Sequence, residues 1–304
     1  MPCSVPVLLL AFNRPEKTIK VLEQIRKAAP VKVYAHCDGP RGHVPDDIPK
    51  TAEVKRLIQE QLGHLGVKTL FREKNIGLRQ GIFGAINWFF EQEEYGIILE
   101  DDCVPDISAF QFCEELLLRY RDDPQIMHIG CSNLAEEYTQ NRSDDYLFSR
   151  FSFIWGWATW RRAWQAMTIN LDGLETFERN GGLKRFVSDY KSQAYMRAKF
   201  EATRTGKNNT WDYAWFYSIL KNNGLCIVPR INLVQNIGVG EADATNTTAS
   251  NQNARKQAQP MNFPISHPAE RLVDPKLEQL FFYSSQKSRF RLRLWYLLHV
   301  IGLR

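Results

Sequence analysis

Three consecutive acids, Glu100, Asp101 and Asp102, follow a short apolar run in the stretch "YGIILEDDCVP". Like charges crowded at a strand end repel one another, so the arrangement is unfavourable unless water or a cation offsets it. Carboxylate oxygens are hard ligands that suit Mn²⁺ or Mg²⁺, ions that take one or two protein carboxylates together with substrate phosphates. The plain alternative is that Asp101 and Asp102 only solvate a loop while Asp106 caps the next helix. A further acid, Asp212 in "TWDYAW", opens an expected helix over 212–222 that Gly224 would close. It serves either as an N-terminal cap on the helix dipole or, desolvated between Trp211 and Trp215, as a general base.

The elements that must carry these residues show in the pattern around them. Apolar runs at 5–12, 31–37, 67–71, 97–99 and 126–129 alternate with helix-like stretches. Leu78, Ile82, Ala85, Ile86 and Phe89 lie on one face of a helix expected over 77–91, and Phe110, Cys113, Leu116, Leu117 and Tyr120 repeat the pattern after the acids. Strands alternating with helices predict an α/β fold whose sheet is covered on both faces. Ligands of such sheets bind beyond the carboxyl ends of the strands. Those ends carry Asn13 and Arg14 in "AFNRP", Asp38, Gly39 and Arg41 in "AHCDGPR", and Asn75, Gly77 and Arg79 in "REKNIGLRQG". Singly, these are turn and cap residues as readily as ligands. Together they furnish one sheet edge with an acid to read a base, arginines to hold phosphate and an acid cluster for a metal.

From residue 131 the alternation fades and aromatic residues accumulate, which predicts a less regular layer completing a cleft. "FIWGWATWRRAW" holds Trp155, Trp157, Trp160 and Trp164. The last two are spaced i, i+4 on an expected helix and read as core. Trp155 and Trp157 flank Gly156 in an expected loop, where flat apolar rings suit the CH faces of a sugar as well as they fill a core. The polar stretch 238–260 has almost no large apolar residue and reads as a lid or flexible loop. Three regions follow: a nucleotide-binding half at 1–130, an acceptor-side and catalytic half at 131–270, and a helical tail at 271–304.

The chain has 304 residues, with 39 Lys+Arg against 34 Asp+Glu, and the excess is local. Residues 287–304 hold Lys287, Arg289, Arg291, Arg293 and Arg304 and no acid, so the remainder is balanced and no nucleic-acid partner is expected. In that tail Phe290, Leu294, Leu297, Leu298 and Ile301 share one helical face. The face either docks on an anionic inner-leaflet surface or packs on the body. Six scattered cysteines without C-x-x-C spacing read as buried thiols of a reducing, cytoplasmic compartment. The opening "MPCSVPVLLLAFNRP" reads as a first strand, its apolar run stopped short of a signal peptide or membrane span.

The ordered series "PVLLLAFNRP", "AHCDG", "NIGLRQG", "IILEDDCVPD", "SRFSFIWGWATWRRAW", "TWDYAWFYSIL" and "IVPRINLVQNIGVG" resembles the nucleotide-sugar-dependent glycosyltransferases of the GT-A fold. The nearest likeness is to bacterial family 2-like sugar-nucleotide transferases and to the N-acetylglucosaminyltransferase I group. The resemblance implies a Rossmann-like, mixed and mostly parallel sheet with helices on both faces, an acceptor-side layer and, here, a helical tail. It implies a UDP-sugar donor and a glycan or lipid-linked acceptor, in bacterial surface polysaccharide or glycoconjugate synthesis. By the same likeness Asp102 is the ligand of Mn²⁺ or Mg²⁺, and Glu100 and Asp101 face the donor's ribose and sugar. Asp38 would read uracil, Arg14 a phosphate or base, and Asp212 would act as the base of an inverting transfer. Asn13, Asn75 and Arg79 complete the expected donor site; Trp155, Gly156, Trp157 and Trp211 form the expected acceptor site. A sugar-nucleotide nucleotidyltransferase uses a similar sheet, but "AFNRPEKT" lacks its Gly-rich loop. A non-catalytic, membrane-attached sugar-binding module is the alternative from another class.

Overall fold

The computed structural model describes residues 2–238, 256–285 and 289–300. The first part runs β1 Val7–Ala11, α1 Pro15–Ala28, β2 Val33–Cys37, α2 Asp47–Leu62, β3 Lys68–Phe71, α3 Leu78–Gln92, β4 Tyr95–Glu100, β5 Cys103–Pro105, α4 Ile107–Arg119 and β6 Ile126–Gly130. Then come α5 Glu136–Thr139, β7 Tyr146–Ser149, β8 Trp157–Trp160, α6 Arg161–Trp164, α7 Leu174–Arg179, α8 Gly182–Phe186, α9 Tyr190–Arg204, α10 Asp212–Lys221, β9 Leu225–Pro229, β10 Val234–Asn236, α11 Pro275–Ser285 and α12 Arg289–Val300.

Eight strands form one sheet in the order β3-β2-β1-β4-β8-β6-β9-β7. The pairings β2–β3, β1–β2, β1–β4 and β6–β9 are parallel, and the three others are antiparallel. The fold is therefore α/β with a mixed, mostly parallel sheet. The strands expected in the first part are present within two residues at most of their ends. The second part differs from expectation: three of its strands join the same sheet, and β8 is wedged antiparallel between β4 and β6, with Ala158 opposite both Ile97 and Ile129. Trp157 and Trp160, expected in a loop and on a helix, are instead the two ends of β8.

Unbroken apolar strands make sense because both sheet faces are covered. On β1, Val7, Leu9 and Ala11 enter the core under α1, α2 and α4, whereas Leu8 and Leu10 join Ile82, Ile86 and Phe89 of α3 on the other side. Period-two alternation sends Tyr34 of β2 to the α3 side as well. A third cluster, around Phe151, Phe153, Phe200, Phe216 and Phe281, builds the aromatic layer of the second part. Asp106 does cap α4, accepting from the Ser108 amide at 2.8 Å.

A small antiparallel ribbon outside the main sheet pairs β5 with β10, setting Asn236 opposite Cys103. It draws the segment ending at Gly238 over the acid turn between β4 and β5. Most of the stretch expected as a lid, 238–260, lies outside the described residues. Helix α12 lies on α9, with Leu292 buried and Trp295 edge-on to Tyr195 at 5.1 Å between centroids. No described helix is long and apolar enough to cross a membrane.

Candidate active site

The carboxyl ends of β1, β2 and β4 open into a cleft of about 1120 Å³. Its lining includes Arg14, His36, Asp38, Arg41, Asn75, Glu100, Asp101 and Asp102 from the first part of the chain, and Ser152, Trp155, Lys199, Asn208, Asn209, Trp211 and Asp212 from the second.

The acid turn is held from three sides. Pairing of β10 with β5 lets the Ile237 amide donate to the Asp102 carbonyl at 2.8 Å. Asp101 accepts from the Phe12 amide at 3.0 Å, so its carboxylate ties the end of β1 to the turn. Arg14 donates to Asp102 at 2.8 Å and to Asp101 at 3.4 Å. Gly238 lies against the Asp102 carboxylate so closely that a β-carbon there would collide with it. Burial, with the neighbouring Asp102, Asp101 and Asp212 charges, holds the Glu100 carboxyl well above the usual carboxylate range. Burial followed by the Asp102 charge pushes Asp101 up to about 7, against the opposing pull of Arg14.

These residues fit a hard divalent cation. The donors are carboxylate oxygens, burial and then their mutual repulsion raise the pKa of Glu100 and Asp101, a cation would relieve that repulsion, and buried Glu100 Oε1 has no hydrogen-bond partner among the described residues. No group of three or more His, Cys, Asp or Glu among the described residues is arranged to hold a metal by itself. An ion at Asp102 would therefore take its remaining ligands from substrate phosphates and water, as Mg²⁺ commonly does.

Asp38 ends β2 and accepts from the Gly39 amide at 2.9 Å and the Ile76 amide at 3.2 Å, clamping the β2 loop to the one before α3. Burial raises its pKa. Asn75 completes this clamp, donating to the Gly39 carbonyl and accepting from the Gly77 amide, each at 3.0 Å. Gly77 has φ of +85°, a conformation open to glycine at little cost. His36 lies two residues before Asp38 in the cleft floor; it is 2% exposed and its Nε2 has no partner among the described residues. Burial, then the charges of Arg72 and Lys55, lower its pKa to about 4, so the ring is neutral at pH 7.

Asp212 is the first residue of α10, and Trp211, which makes no side-chain capping bond, holds the cap position. The Asp212 carboxylate accepts instead from the Thr210 hydroxyl. Burial raises its pKa, opposed by that hydroxyl, by backbone amides at the helix start and by Lys199. Lys199, on α9, is itself lowered by burial and lies over the Tyr195 and Tyr213 rings at 5.6 and 5.5 Å. The arrangement sets a carboxylate of raised basicity in the same cleft as the acid turn.

Four expected site residues point elsewhere. Asn13 donates to Asp47 at 2.7 Å and does not line the cleft, whereas Arg41, which also donates to Asp47, does line it. Arg79 is buried and donates to the carbonyls of Thr203, at 3.1 Å, and Ile169, so it ties α3 to the second part of the chain instead of facing phosphate. Trp157 is wholly buried, stacked on His128 at 5.1 Å and on Trp211 at 5.7 Å. Gly156, with φ of +61°, packs under it against Leu99 and Val234. Trp155 and Trp211 do reach the cleft. His36, Ser152, Lys199, Asn208, Asn209 and Thr210 were not expected there. His36 alone carried a signal, lying on the same strand end as Asp38.

No family model matches the chain, and no curated protein matches it in sequence. Solved structures resemble it at a distance, two among them being enzymes. One is a cytidylyltransferase from Leptospira borgpetersenii serovar Hardjo-bovis, 13% identical, covering 54% of this chain and 63% of its own, with a TM-score of 0.33. The other is the apo form of the glycosyltransferase GlyE from Streptococcus pneumoniae TIGR4, 12% identical, covering 98% of this chain and 64% of its own, with a TM-score of 0.34. The chain thus spans less than two thirds of either protein's length, and likenesses this remote leave its function to be read from its own residues.

Proposed function

We propose that this chain is a metal-dependent glycosyltransferase that moves a sugar from a UDP-sugar to an acceptor hydroxyl with inversion. One observation supports the reading: the acid turn Glu100–Asp102 and the carboxylate of Asp212 line a single cleft, close enough for the charge of Asp212 to raise the pKa of Glu100. Asp38, Asn75 and His36 furnish the end that takes the nucleoside. Arg14 stands between the acid turn and the space for a diphosphate. Asp212 accepts the proton of the acceptor hydroxyl as its oxygen bonds to the anomeric carbon. The bond from that carbon to the diphosphate oxygen breaks, and UDP leaves with the electron pair. Attack opposite the leaving group inverts the centre. Mn²⁺ or Mg²⁺ held at Asp102 would supply neutralisation of charge on the departing diphosphate.

The test is hydrolysis and transfer of UDP-, GDP- and dTDP-sugars with Mn²⁺, Mg²⁺ or EDTA. The expectation is turnover of a UDP-sugar with a divalent ion, reduced by about 10²–10⁴-fold in Asp212→Asn, as for loss of a general base. Turnover intact in both Asp102→Ala and Asp212→Asn would refute the assignment. A second reading is favoured by the 2.8 Å contact of Arg14 with Asp102: the guanidinium itself neutralises the diphosphate and no metal is needed. Full activity in EDTA, lost in Arg14→Met, would select it.

A further inference from the structure

Helix α12 presents apolar residues on two sides. Leu292 and Trp295 face the body, while Tyr296 meets Tyr190 of α9 at 5.3 Å. On the opposite side Phe290, Leu294 and Leu297, spaced i, i+4 and i+7, are 77%, 50% and 62% exposed. Exposed Arg291 and Arg293 flank that strip, and no acid occurs anywhere in residues 287–304. The start of α9 adds Lys191, over the Tyr190 ring at 5.5 Å; the nearby Asp189 is engaged as the cap of α9. Tyr190, 61% exposed, and Tyr296 stand where amphipathic rings favour a boundary between apolar and wet surroundings.

From this pattern we propose that the Phe290, Leu294 and Leu297 face of α12 is a docking surface for an anionic lipid membrane, on which the helix lies in the interfacial plane. A narrow apolar strip between cationic flanks, with low net hydrophobicity, is the pattern of helices that lie on bilayers and do not cross them. A second copy of the chain is the poorer occupant, because face-to-face pairing sets two basic helices, each with Arg293 exposed and no acid in residues 287–304, against each other. Each basic side chain near an anionic leaflet strengthens binding roughly five-fold. Arg291 also lines the cleft, so docking brings the mouth of the cleft to the lipid surface. The inference does not depend on the reaction assigned to the cleft.

Co-flotation of the whole protein with phosphatidylcholine vesicles, and with vesicles also containing phosphatidylglycerol, tests it. The protein should float with the anionic vesicles, at least ten-fold more weakly with the neutral ones, and less at raised salt. The double variant Leu294→Glu, Leu297→Glu should remain in the pellet while keeping the wild-type melting temperature. If it keeps its UDP-sugar hydrolysis as well, the surface and the cleft are separate functions. If neither protein hydrolyses UDP-sugars but flotation follows this pattern, docking stands and only the catalytic reading falls. Absence of flotation by the wild type, flotation unchanged in the variant, or a dimer in the wild type that the variant lacks would each overturn the proposal.

Discussion

The hydroxyl of Thr210, two residues before the start of α10, donates to the carboxylate of Asp212, the helix's first residue. That bond favours the charged form, against the burial that raises the Asp212 pKa. Thr210→Val should therefore raise the pKa further and move the acid limb of the kcat/KM profile to higher pH. It should also lower kcat about ten-fold through loss of a charge-assisted bond. Thr210→Ser should restore both. The sign follows from the role of a base, which works deprotonated, so activity is lost as pH falls through its pKa. A limb unmoved in Thr210→Val would mean that another group governs it.

His36 lines the cleft and its buried Nε2 has no partner among the described residues, so the proposed nucleotide site can be tested by whether UDP supplies the missing hydrogen bond. His36→Phe keeps a flat ring there without a polar atom. UDP affinity, measured by calorimetry, should fall by roughly 1–3 kcal/mol, the range for a buried polar partner left unmet. Unchanged affinity would make His36 a packing residue.

Arg79 separates architecture from ligand binding. Arg79→Met removes the donor to two buried carbonyls and should cost about 2 kcal/mol in a denaturant melt. UDP affinity at low temperature should be unaltered. Arg14→Met should differ by weakening nucleotide binding at low temperature as well as lowering stability, because the buried acid turn loses its guanidinium.

Gly238 has no room for a side chain beside Asp102. Gly238→Ala should displace either the carboxylate or the segment after β10, and kcat/KM should drop by about 10²-fold, as misplacement by an ångström does elsewhere. Mn²⁺ titration of activity would locate the loss: a raised metal requirement places it at Asp102.

Much of the first part of the fold could be read in the sequence, since doubly buried strands leave plain apolar runs and α3 and α4 keep a helical period. Those runs also placed Asp38, Glu100, Asp101 and Asp102 on one edge. The second part resisted because β8 is a four-residue strand made of Trp157, Ala158, Thr159 and Trp160, whose composition reads equally as a loop and a helix start. Its antiparallel insertion depends on pairing with strands distant in sequence. Arg79 and Asn13 misled for a related reason. Position beside a strand end was visible, but the carbonyls of Thr203 and Ile169, and the carboxylate of Asp47, came from elsewhere in the chain. Lys199 and Thr210 gain meaning only once α9 and α10 bring them to Asp212.

The indoles beneath the cleft have an optical consequence. Trp157 and Trp164 lie 6.2 Å apart and each lies 5.1–6.3 Å from both Trp211 and Trp215, four of the chain's eight tryptophans in one nest. Chromophores this close share excitation, so the protein should have strong near-ultraviolet circular dichroism and collect its emission at this nest. Because Trp211 also borders the open space, a nucleotide settling there alters the emission of the whole group. The protein carries its own fluorescent gauge of occupancy, usable without labels and without a known acceptor.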